Sequence, residues 1–151
     1  MPSFDHNTTI TPATQNDYDS LCACDPYAQT HPERRKEIAH AIDTKTCFVA
    51  QKDDLIVGYI ISDRVFYGQP FIWSLMVHPQ YRNEGIGAVL MHYIEAHTSG
   101  EKLFTSTNQS NLPMQHLCEK LGFTQSGIIE NLDEGDPEIV YFKRLAGREA
   151  K

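Results

Sequence analysis

Residues 71–79 read FIWSLMVHP and residues 80–87 read QYRNEGIG, and the junction between them decides the fold. The first part is an apolar run of β-formers, Phe71, Ile72, Trp73 and Val77, which predicts a buried strand. Pro79 ends it, because proline has no amide hydrogen for a ladder and biases the preceding residue toward extended geometry. Beyond a short polar turn, Ile86, Val89, Leu90, Tyr93 and Ile94 recur at i, i+3, i+4, i+7 and i+8, one face of an amphipathic helix. Gly85 and Gly87 therefore sit where a strand feeds a helix N-terminus. The first amides of a helix have no intrahelical partner, and the helix dipole is positive there. Glycines let an anion approach those amides closely, so the stretch predicts a phosphate or pyrophosphate cradle.

Spacing separates the loops that could do this. A P-loop needs a Lys-Ser or Lys-Thr pair after its second glycine, and none follows Gly85 or Gly87. A dinucleotide fingerprint, G-x-G-x-x-G, would need glycine where Leu90 stands, and would open the first βαβ unit rather than sit in mid-chain. The pattern R/Q-x-x-G-x-G/A is met residue for residue by Arg82-x-x-Gly85-x-Gly87. This resembles the acyl-CoA pyrophosphate loop of the GNAT N-acetyltransferases, which a strand ending like Met76-Val77-His78-Pro79 commonly introduces.

The second half agrees. Residues 102–107 (KLFTST) predict a strand. Asn111 follows as an N-cap, Pro113 suits a first helical turn, and Gly122 suits a C′ position. Met114, Leu117, Cys118 and Leu121 form the stripe between them. The segment is similar to the GNAT pattern N-x-x-A-x-x-L-Y-E-K-L-G-F, matched at Asn111, at Leu117 and from Glu119 through Phe123. It departs at Cys118, where the family has Tyr. The resemblance runs from about Leu55 to Lys143.

Composition narrows the classes. With Lys+Arg 13 against Asp+Glu 20 the formal net charge is −7, a poor background for non-specific nucleic-acid binding. Any anion site must then be local, made from backbone dipoles and one or two cations. No secretory h-region or long apolar run is present, so no membrane is expected, and the four cysteines fit a reduced, cytoplasmic protein. Cys22 and Cys24 have no second Cys/His pair at ligand spacing, so no metal is expected. His6, His40, His92, His97 and His116 are likewise scattered and read as surface or half-buried.

From its start, the chain predicts a strand at Thr8–Thr11 and a capping box, Thr14-x-x-Asp17, opening a helix that faces inward with Tyr18, Leu21 and Cys22. A break is expected at Asp25-Pro26-Tyr27, and Pro32 reopens a helix to about Ile42. Thr46–Gln51 and Leu55–Phe66 predict two strands joined by a polar turn. Tyr67-Gly68-Gln69-Pro70 turns into the organising strand. The expectation is an α+β domain, 1–146, followed by a frayed tail, 147–151. Its centre would be a mixed, mostly antiparallel, twisted sheet of about seven strands with helices on both faces. The unit from Phe71 to Thr107 would be a parallel crossover.

The resemblance implies acetyl-CoA as donor and an amine as acceptor, with CoA as product. Arg82 and the amides of Asn83, Glu84, Gly85, Ile86, Gly87 and Ala88 would hold the pyrophosphate, with Asn111 nearby. Backbone groups of Leu75, Met76 and Val77 would bind the pantetheine arm, and a Val77 amide the thioester oxygen. Tyr27, His31 and Glu33 are candidates for the acceptor wall, or are surface residues on a variable loop. Trp73 lies under the acceptor site in this reading, either as core or as a substrate contact. Cys118 is a proton donor to the thiolate, a packed thiol, or a residue that only fits against the sulfur. The strand carries no carboxylate base, which leaves water, His78 or a wall residue such as Glu33. The segment 128–141 holds five carboxylates and no Lys or Arg. Asp133, Asp136 and Glu138 either attract a cationic small-molecule or peptide amine or decorate a solvated loop tip. The chain is read as a monomer or homodimer. A non-catalytic acyl-CoA sensor on the same fold is the alternative.

Overall fold

The computed structural model describes residues 7–145; the expected tail at 147–151 and His6 lie outside them. Seven strands form one mixed sheet in the order β1-β2-β3-β4-β5-β7-β6. They are β1 (Thr8–Pro12), β2 (Cys47–Lys52), β3 (Leu55–Phe66), β4 (Gln69–Val77), β5 (Lys102–Asn108), β6 (Thr124–Ile129) and β7 (Glu138–Arg144). The helices are α1 (Tyr18–Cys24), α2 (Pro26–Thr30), α3 (Pro32–Asp43), α4 (Ile86–His97) and α5 (Leu112–Lys120). β4 and β5 are parallel, with Phe71 opposite Phe104 and Ile72 opposite Thr105, and the recorded pairings β1–β2, β2–β3, β5–β7 and β6–β7 are antiparallel.

The turns follow from backbone chemistry. Asp53 and Asp54 (φ 51° and 65°) close β2 on β3, and Tyr67 and Gly68 (φ 52° and 73°) close β3 on β4. Two consecutive residues at positive φ make the type I′ geometry that matches strand twist. The second turn is therefore two residues long, and Gln69 and Pro70 belong to β4 rather than to the turn.

By contacts, the described chain divides into two compact units. The first holds residues up to Ser62 together with Ser74–Ala96. Its core joins Leu21, Cys24, Ala28, Ile38, Ala41 and Ile42 of α1–α3 to Cys47, Val49, Tyr59 and Ile61 of β2 and β3. Fully burying a side chain the size of Leu21 or Ile38 is worth about 1.5–3 kcal/mol. Met76 of β4 packs against the same cluster. Gly58 is buried at a close approach: a Cβ there would lie 2.7 Å from the Met76 carbonyl oxygen, with Leu90 and Ile86 at 3.3 and 3.4 Å. Only glycine lets β4 lie where it does.

The second unit holds Asp63–Trp73 and the chain from His97 onward. β5 alternates buried Leu103, Thr105 and Thr107 with half-buried neighbours, the period of two expected of a strand. The Thr105 hydroxyl donates to the Ile72 carbonyl at 2.9 Å. α5 is closed at both ends. Asn111 Oδ1 accepts from the Met114 amide at 3.2 Å. At the other end the Phe123 amide donates to Cys118 O (2.9 Å) and the Gly122 amide to Glu119 O (3.1 Å), with Gly122 at φ 91°. That is a Schellman ending with glycine at C′, as the sequence predicts.

One expected break is a helix. Pro26 opens α2 because Asp25 caps it, Oδ1 accepting the Tyr27 amide at 3.0 Å, and proline at the first position gives up an amide that would be unpaired anyway.

Candidate functional site

The first unit contains the predicted anion loop. Arg82 leaves the short 3₁₀ turn Pro79–Tyr81 in an extended conformation, Asn83 takes φ 66° and Gly85 φ 82°, and α4 begins at Ile86. The Gly85 carbonyl accepts the Val89 amide at 3.1 Å, so the helix ladder starts at Gly85 itself. A Cβ on Gly85 would meet nothing within 4 Å. The first amides of α4 have no intrahelical partner, and the helix dipole is positive there.

The loop's side chains lean away from it. Arg82 Nε donates to the Val77 carbonyl at 3.3 Å and Nη2 reaches Met76 Sδ at 4.0 Å. The Glu84 carboxylate is held by Lys52 Nζ at 2.9 Å. Leu75, Met76 and Val77 are half-buried at the end of β4. His78 donates its amide to Val57 O at 2.7 Å, and its Nδ1 accepts from the Gln80 amide at 3.1 Å.

The same unit contains the predicted acceptor wall. Tyr27 and His31 stack with ring centroids 3.6 Å apart and planes 7° from parallel, and Arg34 lies 4.7 Å over the Tyr27 ring. Glu33 is exposed in the first turn of α3. Behind them is a group that sequence reasoning missed. Asp25 is 0% exposed. Its Oδ2 accepts from the Tyr59 hydroxyl at 2.6 Å and from Arg34 Nη1 at 3.0 Å. A buried carboxylate persists only when paired and hydrogen-bonded, and this one is. Burial, then the bond to Asp25, raises the Tyr59 phenol above its ordinary range. The sequence marks Asp25-Pro26-Tyr27 as a break, but Tyr59 and Arg34 are distant in sequence and nothing local announces them.

The remaining candidates belong to the second unit. Cys118 has 0% exposure, and burial, with the Glu119 charge second, pushes its thiol up to about 12. Of the three sequence readings, the geometry favours the packed thiol. Asn111 uses Oδ1 as the helix cap. Trp73 is not core: it is 46% exposed, it donates Nε1 to Asp63 Oδ1 at 2.6 Å, and it packs against Phe71 with ring centroids 4.2 Å apart.

The three carboxylates singled out in the acidic segment have partners within the chain. Asp133 Oδ2 accepts from Asn108 Nδ2 at 2.8 Å. Asp136 accepts from the Ser110 amide and hydroxyl at 2.9 and 2.6 Å, and Glu138 from the Ser106 hydroxyl at 2.6 Å. All three carboxylates fasten this segment to β5 and to the turn before α5. Among the described residues no group of three or more His, Cys, Asp or Glu could hold a metal ion, and no helix is long and apolar enough to cross a membrane.

Comparison with known proteins agrees with the family resemblance. Residues 15–123 match the model of the acetyltransferase (GNAT) family. An acetyltransferase of the GNAT family from Bacillus cereus ATCC 10987 superposes with a TM-score of 0.84 at 36% identity, covering 91% of this chain and 96% of that one. The L-2,4-diaminobutyric acid acetyltransferase of Vibrio cholerae serotype O1 is 26% identical over 113 residues, 66% of this chain; the match spans 65% of that relative's length. A Salmonella typhimurium protein solved with its cofactor acetyl-CoA shares the fold at 15% identity, with a TM-score of 0.73 and coverage of 96% and 98%.

Proposed function

Because the chain belongs to the GNAT acetyltransferase family, we propose that it transfers an acetyl group from acetyl-CoA to the primary amine of a small or peptidic acceptor, by direct attack in a ternary complex. The observation that carries the reading is the backbone at the start of α4, where Gly85 takes φ 82° and nothing lies within 4 Å of the place its Cβ would occupy. Arg82 and the amides of Asn83 through Ala88 would hold the pyrophosphate, a charge-assisted arrangement that needs no general positive field. Backbone groups of Leu75, Met76 and Val77 would align the pantetheine arm. A Val77 amide would meet the oxygen that becomes negative as the amine attacks. Acetyl-CoA supplies the activated acyl group as a thioester.

Cys118 has no part in proton transfer in this reading, and the CoA thiolate is protonated from water. Asp133, Asp136 and Glu138 act on the acceptor only through the shape of the segment they fasten. The test is free-thiol release from acetyl-CoA with spermidine, L-2,4-diaminobutyrate and an alanine-terminated peptide as acceptors. Turnover above hydrolysis on one of them is the expected result. Tight CoA binding with no turnover on any amine would replace the enzyme with the acyl-CoA sensor.

A further inference from the structure

The sheet has two edges, and β6 forms one of them. A strand at the end of a sheet pairs along one side only and presents unpaired N–H and C=O groups along the other. β1, at the opposite edge, closes on Pro12, which has no amide hydrogen to give an added strand. β6 reads TQSGII, with no proline and no charge, and all six of its residues are exposed. Ile128 and Ile129 point to opposite faces and are 57% and 38% exposed, and Leu132 just beyond them is 63% exposed. One defence is present. The ladder to β7 shifts register between Gln125 and Gly127, and a bulge of this kind turns an edge away from a partner. The regular stretch of the edge is therefore 127–129.

Charge is divided along this edge. Thr124 pairs with Phe142, so the start of β6 lies beside the end of β7. Cations gather there: Lys120 in the last turn of α5, Arg144 on β7 with Lys102 directly opposite on β5, and Lys143 over the Phe123 ring. Glu101 and Glu119 stand among them. Like charges directly opposite each other in a sheet are unfavourable, so the Lys102–Arg144 end gains from an anion. The far end of β6 runs into the acidic segment, which has no Lys or Arg. Asp133, Asp136 and Glu138 are engaged within the chain, while Glu130 and Glu134 are exposed. An antiparallel copy reverses the strand, so the cationic end of each copy meets the acidic end of the other.

We propose that the outer edge of β6 docks a second copy of this chain, β6 against β6, antiparallel about a two-fold axis through 127–129. The contact is isologous: whatever Lys120 of one copy meets, Lys120 of the other meets as well. Main-chain bonds supply the pairing, and Ile128 and Leu132 are covered by the same residues of the partner copy. Elsewhere the net charge of −7 keeps two copies apart, so the docking is confined to the one edge whose charges complement themselves. Six strand residues span about 20 Å, which places the contact at the small end of specific interfaces and makes the dimer depend on concentration.

The test is analytical ultracentrifugation of the full chain over a dilution series. The mass should fall from twice 17.2 kDa toward 17.2 kDa on dilution, and deuterium exchange at 124–129 should slow in step with the dimer. Ile128→Lys puts a charge on the edge and should hold the chain at the monomer mass, with the Tm of dilute wild type. Lys120→Glu and Glu130→Lys should each weaken the dimer about tenfold. An equal mixture of these two variants should restore it, because every reversed charge then faces an opposite one. A wild-type chain of monomer mass at every concentration overturns the proposal. So does a dimer that survives Ile128→Lys or leaves exchange at 124–129 unchanged. A mixture that binds no tighter than either variant alone overturns the antiparallel pairing, and the proposal with it.

Discussion

The loop at 82–88 and the segment at 130–138 treat their polar groups in opposite ways. In the loop, Asn83 and Gly85 adopt positive φ, Arg82 lies back on β4, Glu84 turns to Lys52, and the Cβ position of Gly85 has no neighbour within 4 Å. In the acidic segment, Asp133, Asp136 and Glu138 turn to Asn108, Ser110 and Ser106. The first region presents backbone and keeps its side chains out of the way; the second uses side chains to hold backbone in place. The contrast teaches that a run of charge says little about binding until its internal partners are counted.

The largest test of that contrast is to block the open approach. Gly85→Glu adds a strained, anionic side chain where a positive φ and an open face are needed, and Arg82→Glu reverses the loop's own cation. Each should weaken CoA binding more than 100-fold by calorimetry, about 2.7 kcal/mol or more, with Tm little changed in Arg82→Glu and lowered in Gly85→Glu by the strain of a side chain at positive φ. Retained affinity in both would remove the loop from the site. Gly58→Ala attacks the same loop from behind: its Cβ must displace the Met76 carbonyl. A loss of about 1–3 kcal/mol in stability is expected, with a measurably higher Kd for CoA, and an unchanged urea midpoint would mean that β4 gives way freely.

A smaller effect tests whether the thiols are structural. Cys24, Cys47 and Cys118 are each pushed up to about 12, mainly by burial. A raised thiol pKa in the folded chain means that the folded state prefers the neutral form. Stability is therefore whole below the unfolded value near 9 and falls as pH climbs from there toward 12, by up to about 1.4 kcal/mol per pH unit per thiol. Urea unfolding between pH 8 and 11 should show this slope, and Cys118→Ala should reduce it while keeping kcat. A collapse of kcat in Cys118→Ala would return that thiol to the chemistry. The smallest effect belongs to the acidic segment. Asp136→Asn should cost about 1 kcal/mol through weakened bonds to Ser110, with the CoA Kd and the acceptor KM unchanged. A raised acceptor KM at unchanged Tm would restore the electrostatic reading of these carboxylates.

Much of the fold is legible because its signals are local. The alternation of β5, the Asn111 cap, the Gly122 ending and the apolar face of α4 each depend on neighbours within a few residues. Met91, buried on α4 outside the predicted stripe, shows that the buried face is wider than the stripe. What escaped reading depends on distance along the chain. Asp25 looked like a turn residue because its partners, Arg34 and Tyr59, lie 9 and 34 residues away. Gly58 looked like an ordinary strand position because the carbonyl that excludes its Cβ belongs to Met76. The proton position on His78 is set by the Gln80 amide, whose direction only the fold supplies.

Trp73 is the chain's single tryptophan, half open to solvent and tethered through its ring nitrogen to Asp63. An indole in that position is a built-in fluorophore whose emission answers to one hydrogen bond and to the aromatic rings beside it. Asp63→Asn should shift its spectrum. The second unit can thus be watched during folding or titration with no label attached, in a chain that has no other indole to blur the signal.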